Sequence, residues 1–219
     1  MKWGAMVNDI NAWWEGVPGE RYWLDVTGRD GRERILAAPR ETRRGLEAWA
    51  HRLLRHVKSG DFVFHYDPLR RAIVSFSIAH GRVEKGDLSW PPRAELASPG
   101  RTIERLPSWA IRLRCFTALD ARVPLHEIAR VQWGLFPSLR ALEDEMGDPL
   151  YYPFEMGNQQ ETRTLPGYVF KLPAILVQSC AGLANATMVE SLEVAPLAAH
   201  EAKQNPRNPV HPLRQTAAR

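Results

Sequence analysis

The sequence predicts an α+β domain, and three stretches carry that reading. Phe62, Phe64 and Tyr66 alternate with Val63 and His65, and beyond Asp67-Pro68-Leu69-Arg70-Arg71 a second alternation sets Ala72, Val74, Phe76 and Ile78 against Ile73, Ser75 and Ser77. Two period-two runs joined by a loop of turn-forming residues make a β-hairpin. Upstream, Tyr22, Leu24 and Val26 alternate with Trp23, Asp25 and Thr27 as a further strand. Between strand and hairpin, Leu46, Trp49, Ala50, Leu53, Leu54 and Val57 recur at helical spacing, which predicts an amphipathic helix over 42–59 closed by Gly60.

The remaining elements follow in chain order. Asn8 to Gly16 reads as a short helix carrying Trp13 and Trp14, stopped by the Gly16-Val17-Pro18-Gly19 breaker. Past the hairpin, the segment from His80 starts as strand and is expected to become loop before Trp90-Pro91-Pro92, where a residue preceding proline is held extended. Ser108 to Thr117 alternates Ile111, Leu113 and Cys115 with Arg112 and Arg114, a strand with one basic face. Short helices are expected over Pro124 to Val131 and Ser138 to Met146, a strand over Gly167 to Phe170, and a helix opened by Pro173. From Ala195 the chain loses all period and reads as a poorly packed extension. The expected organisation is an N-terminal extension over 1–19, one domain over 20–185 and a C-terminal extension over 186–219.

Composition narrows the function classes. The 219 residues suffice for one sizeable core, and 29 basic against 25 acidic side chains leave a formal charge of +4. That balance permits a polyanionic partner without requiring one. Six arginines, Arg29, Arg32, Arg34, Arg40, Arg43 and Arg44, fall in one short stretch. Their guanidinium forks match phosphate oxygens, while a solvated loop is the competing reading. Cys115 and Cys180 stand alone, which argues against a zinc site and a disulfide framework and for a cytoplasmic setting. No signal peptide or membrane span is legible.

Catalytic signatures are missing. His126-Glu127-Ile128-Ala129-Arg130 begins like a zinc-protease helix but has arginine at the second histidine position. There is no phosphate-cradling glycine loop and no GxSxG elbow, so a binding protein without cofactor or metal is expected. On the first strand, Trp23, Asp25 and Thr27 could offer one ligand a stacking face and two polar groups, or could form a solvated sheet face.

Taken together, Tyr22-Trp23-Leu24-Asp25-Val26, Ala37-Ala38-Pro39-Arg40, Gly60-Asp61-Phe62-Val63-Phe64-His65-Tyr66 and Ala72 to Ala79 resemble the EVE-type branch of the PUA-like superfamily, which is similar to YTH, ASCH and SRA domains. Tyr151-Tyr152-Pro153-Phe154 and Gly167 to Pro173 extend the likeness. The resemblance implies a curved β-sheet or partial barrel flanked by helices, in which an aromatic-lined pocket accepts a modified base. The chain is thus expected to be a non-catalytic reader of methylated double-stranded DNA, similar to small bacterial 5-methylcytosine-binding proteins. On that reading Trp23, Tyr66 and Trp90 stack, and Asp25, Thr27, His65 and Ser75 supply the polar edge. Arg29, Arg32, Arg34, Arg40, Arg43, Arg44 and Arg82 would hold the backbone. A modified-RNA or tRNA binder on the same fold, and a nuclease with an unrecognised site, are the alternatives.

Overall fold

The computed structural model describes residues 10–28, 34–41, 49–90, 104–147, 150–155 and 162–188. It is an α+β structure with a mixed six-stranded open sheet. The strands are β1 (Tyr22–Asp25), β2 (Ile35–Pro39), β3 (Phe62–Asp67), β4 (Ala72–Trp90), β5 (Glu104–Pro124) and β6 (Val169–Leu172). The helices are α1 (Trp49–Arg52), continued by a 3-10 turn over Leu53–His56, then α2 (Leu125–Gly134), α3 (Phe136–Met146) and α4 (Ala174–Ser179). Strand order is β2-β5-β4-β3-β1-β6; β1 runs parallel to β3 and every other pair is antiparallel. All these elements belong to one compact unit ending at Ala186.

The predicted hairpin is the β3–β4 pair, with Phe64 opposite Phe76 and His65 opposite Ser75. Asp67 secures its turn by accepting the backbone N–H groups of Leu69 and Arg70. Alternation then sends Phe62, Phe64 and Phe76 to one face, where their rings lie 5.8–6.5 Å apart beside Tyr22. β1 lies inside the sheet, between β3 and β6. Both of its faces are covered, so Trp23, Leu24, Asp25 and Val26 are all buried and neither face is solvated.

Four expectations change. No helix forms over 10–16; Trp13 and Trp14 lie in turns and are buried there, Trp14 meeting Trp23 and Tyr151 edge-on at 5.3 and 5.9 Å. Burial of two indoles, rather than helical hydrogen bonding, fixes that segment. Ile35–Pro39, to which the sequence reading assigns no element, is an edge strand paired with β5. The loop expected after His80 is instead strand through Trp90, and β5 extends well beyond Ser108–Thr117 at both ends. Irregular register between His80 and Glu84 absorbs Gly81, so that a breaker in sequence becomes a bulge in the ladder. Residues 42–48 and everything after 188 lie outside the described residues, and with them the start of the predicted helix and the C-terminal extension.

Behind β1, Lys171 is wholly buried with all three ammonium donors used: Glu20 Oε2 at 2.9 Å, the Tyr22 carbonyl at 3.2 Å and the Leu172 carbonyl at 2.9 Å. Burial pulls its pKa below the usual lysine range, against the opposing pull of the Glu20 carboxylate. Among the described residues no helix is long and apolar enough to cross a membrane.

Two histidines give the fold a pH dependence. Burial lowers the pKa of both His51, packed against Tyr168, and His56, packed on Trp14. Between each lowered folded value and the unfolded value of 6.5, the unfolded chain holds more protons than the folded one. Stability therefore rises with pH through that window and is lost as pH falls below about 6.5, with a limiting slope of about 1.4 kcal/mol per pH unit for each group. Thermal melts between pH 7.5 and 5.5 should show this decline, and the pair His51→Asn and His56→Gln should flatten it.

Candidate functional site

The site begins with a fault in the β4–β5 ladder. Phe76 pairs with Thr117 and Ile78 with Arg114, so Cys115 and Phe116 together face the single residue Ser77. Two residues opposite one is a β-bulge, a device that bends a strand and re-aims its side chains. Cys115 takes φ 54°, and Arg34, whose carbonyl accepts the Leu113 N–H at 2.7 Å, takes φ 56°. Left-handed backbone at non-glycine residues is uncommon and concentrates at ligand sites. Both of these residues border the same cavity, of about 410 Å³, whose wall is Arg34, Ser77, Leu113, Arg114, Cys115 and Phe116.

Beneath the cavity a chain of hydrogen bonds crosses three strands. Asp25 Oδ1 accepts the Thr27 N–H at 2.8 Å, Asp25 Oδ2 lies 3.2 Å from His65 Nδ1, and His65 Nε2 lies 2.9 Å from Ser77 Oγ. The register makes this possible, since Asp25 sits beside His65 and Val63 beside Ser77. His65 and Ser77 are fully buried and Asp25 nearly so. In the neutral imidazole whose Nδ1 donates to the Asp25 carboxylate, Nε2 accepts the Ser77 hydroxyl proton. The Ser77 oxygen then keeps its lone pairs for whatever lies beyond it.

Two buried polar atoms beside this chain have no partner: Ser75 Oγ, on the residue opposite His65, and Arg114 Nε, in the cavity wall. Orphaned buried donors are costly, about 1–3 kcal/mol each, and mark places where a ligand or water belongs. Phe116 closes the group. Its ring lies 6.1 Å from that of His65 and is 38% exposed, an uncommon surface position for phenylalanine beside a buried imidazole.

The residues expected to line a pocket are divided by the fold. Asp25, His65 and the Thr27 backbone N–H are joined by hydrogen bonds that end on Ser77, the one member of the chain in the cavity wall, and Ser75 stands opposite His65. Trp23 lies on the same sheet face but points into the core: fully buried, its indole N–H donates to Asp61 Oδ2 at 2.7 Å, and its ring lies 5.6 Å from Lys171 Nζ. Tyr66 is buried in the main core beyond a register shift that separates it from His65. Trp90 is the last residue of β4, at the opposite end of that strand from Ser75. Of the arginines, Arg34 borders the cavity, Arg40 follows β2 and packs on Trp109, and Arg82 is exposed in the irregular stretch of β4. Arg29, Arg32, Arg43 and Arg44 lie outside the described residues.

Ser77, Leu113, Arg114 and Phe116 were not singled out as site residues by sequence reasoning. Ser77 carried a usable signal, because alternation places it on the same face as Ser75. Phe116 carried none, because its exposure comes from the bulge. Among the described residues, no three His, Cys, Asp or Glu side chains converge to hold a metal ion.

No family model matches this sequence, and neither does any curated protein. Among solved structures, similarity is found to a Pseudomonas putida protein (14% identity, TM-score 0.38, covering 74% of this chain and 98% of that one). An Agrobacterium tumefaciens protein is similar at 14% identity and TM-score 0.37, over 75% of this chain and 94% of that one. The N-terminal domain of Staphylothermus marinus McrB is similar at 10% identity and TM-score 0.36, over 74% of this chain and 93% of that one.

Proposed function

We propose that this chain is a non-catalytic, PUA-like reader of 5-methylcytosine in double-stranded DNA that acts in the cytoplasm and takes the flipped base into the bulge cavity. One observation carries the reading: a cavity in the size range of small-ligand sites, roughly 300–1,000 Å³, combines an exposed aromatic ring, two arginines and a serine hydroxyl hydrogen-bonded to a buried histidine. Flipping a base costs a few kcal/mol, which stacking, edge hydrogen bonds and phosphate contacts must offset. Phe116 supplies the ring, Ser77 the acceptor, and Arg34 and Arg114 the cations.

The acceptor selects the base. With His65 holding the Ser77 proton, the Ser77 oxygen receives a hydrogen, and the exocyclic amine of cytosine offers one where thymine has a carbonyl. Asp25, expected to meet that amine itself, acts through His65, because both of its oxygens are already engaged. The side chain of Ser77 is fully buried, so contact requires Phe116 to move from above His65. The 5-methyl group meets Leu113 and Phe116 and adds about 1 kcal/mol.

A panel of matched duplexes and single strands, DNA and RNA, carrying 5-methylcytosine, 5-hydroxymethylcytosine, N6-methyladenine or no modification, tests this at fixed salt. The 5-methylcytosine duplex should bind tightest. Phe116→Ala should weaken it by about 1–3 kcal/mol while leaving the melting temperature close to that of the parent. Incubation of the same duplexes with magnesium or manganese should return them uncut. Equal affinity across the panel, a preference for RNA, or reproducible cleavage would each overturn the proposal.

A further inference from the structure

Trp109 lies on β5 between Ala38 of β2 and Lys85 of β4. Three cations from three separate segments surround its ring. The guanidinium of Arg40, just past β2, is 5.6 Å from the ring centroid, that of Arg55, in the 3-10 turn, is 5.1 Å away, and Lys85 Nζ is 5.4 Å away. Arg40 is fixed by donating its N–H to the Pro107 carbonyl at 2.8 Å, and Arg55 by the burial of its neighbours Leu53 and Leu54. The backbone of Arg40 and the turn that carries Arg55 are therefore anchored beside the ring, and Lys85 is paired with Trp109 in the sheet.

An indole face attracts one cation well, but three positive charges within roughly a Debye length, about 10 Å at 0.1 M salt, repel one another. Among the described residues none of the three has a carboxylate within ion-pair distance. Arg55 and Lys85 are exposed and Arg40 half-buried, so an anion from solvent can reach them. Two guanidinium forks and an ammonium, each within 5.6 Å of one ring centroid, suit an anion with several acceptor oxygens. We propose that Arg40, Arg55 and Lys85 around Trp109 form a phosphate site for the nucleic-acid backbone, separate from the base cavity.

The placement fits a duplex that also reaches the cavity. Trp109 and Leu113 share parity on β5 and so lie on one side of the sheet. Four residues at about 3.3 Å separate them by about 13 Å, the axial length of roughly four nucleotide steps. This inference takes the identity of the phosphate's owner from the nucleic-acid reading above, but does not depend on base flipping.

The test uses the full chain, an unmodified duplex and its methylated counterpart, each titrated at several salt concentrations. The double variant Arg55→Gln, Lys85→Gln should bind both duplexes more weakly and lower the slope of log affinity against log salt by about 1.8, two contacts at about 0.9 each. Its ratio of methylated to unmodified affinity should equal the parent's. As a control for net charge, Arg122→Gln with Arg130→Gln, both exposed and remote in sequence from Trp109, should change the slope much less. An unchanged slope in the first pair, or equal losses in both pairs, overturns the phosphate site. A parent ratio of one would overturn the cavity reading alone and leave this result standing. Inorganic phosphate serves as the second arm, followed through the indole N–H resonance assigned with Trp109→Phe. A phosphate response without duplex binding would overturn the nucleic-acid backbone as its source.

Discussion

Replacing Trp23 with alanine is expected to destabilise the fold by about 3–5 kcal/mol, the range for deleting a large aromatic from a packed core. The indole has no exposed surface and meets Trp14 edge-on at 5.3 Å. Its N–H is also one of two donors to Asp61 Oδ2, the other being the backbone N–H of Lys58 at 2.9 Å. Burial already raises the pKa of Asp61, so losing a donor leaves its charge less well satisfied. The melting temperature should fall by about 6–20 °C. In protein that remains folded, the ratio of methylated to unmodified affinity should be unchanged, because the cavity wall keeps every residue. A variant as stable as the parent that had lost its methyl preference would move Trp23 from the core to the pocket.

That outcome turns on a distinction the sequence does not contain. Alternation puts Trp23 and Asp25 on one face of β1, with Thr27 past the end of the strand, but it cannot say what covers that face. The answer depends on Lys171 and Trp14, distant segments brought against β1 by the sheet order. The hairpin was legible because both its strands and its turn are local. Its pairing partner was not: β5 joins β4 across a segment that opens with two prolines, and the bulge that opens the cavity is a property of their register rather than of either strand. Asp25, His65 and Ser75 were recognisable as polar residues in apolar strands, and alternation put Ser77 on the face of Ser75, whereas its link to His65 comes only from the pairing of β3 with β4. Trp13 and Trp14 show the reverse error, since a pair of large apolar residues beside a breaker looks like a helix end and here is a pair of anchors.

The sharpest functional consequence comes from Asp25→Asn, a change of one atom at the start of the chain that ends on Ser77. In the parent, the carboxylate accepts from both Thr27 N and His65 Nδ1. The introduced amide keeps its oxygen on the Thr27 N–H and turns its NH₂ toward His65. His65 Nδ1 must then accept, the imidazole proton moves to Nε2, and Nε2 donates to Ser77 Oγ. The Ser77 hydroxyl proton is released from that bond and points toward the cavity. An acceptor at the base edge has become a donor, with no change in the shape of the pocket. 5-Methylcytosine and thymine share their methyl group and differ at position 4, where one carries an amine and the other a carbonyl. In single strands, which remove the base-pairing difference, the parent should prefer 5-methylcytosine over thymine by about 1–3 kcal/mol, the penalty for an unmatched buried polar group. That is roughly five- to 150-fold in affinity. Asp25→Asn should abolish or invert the preference, and Ser77→Ala should abolish it without inversion. If all three proteins rank the two bases alike, the chain from Asp25 to Ser77 serves packing, and recognition lies elsewhere in the cavity wall.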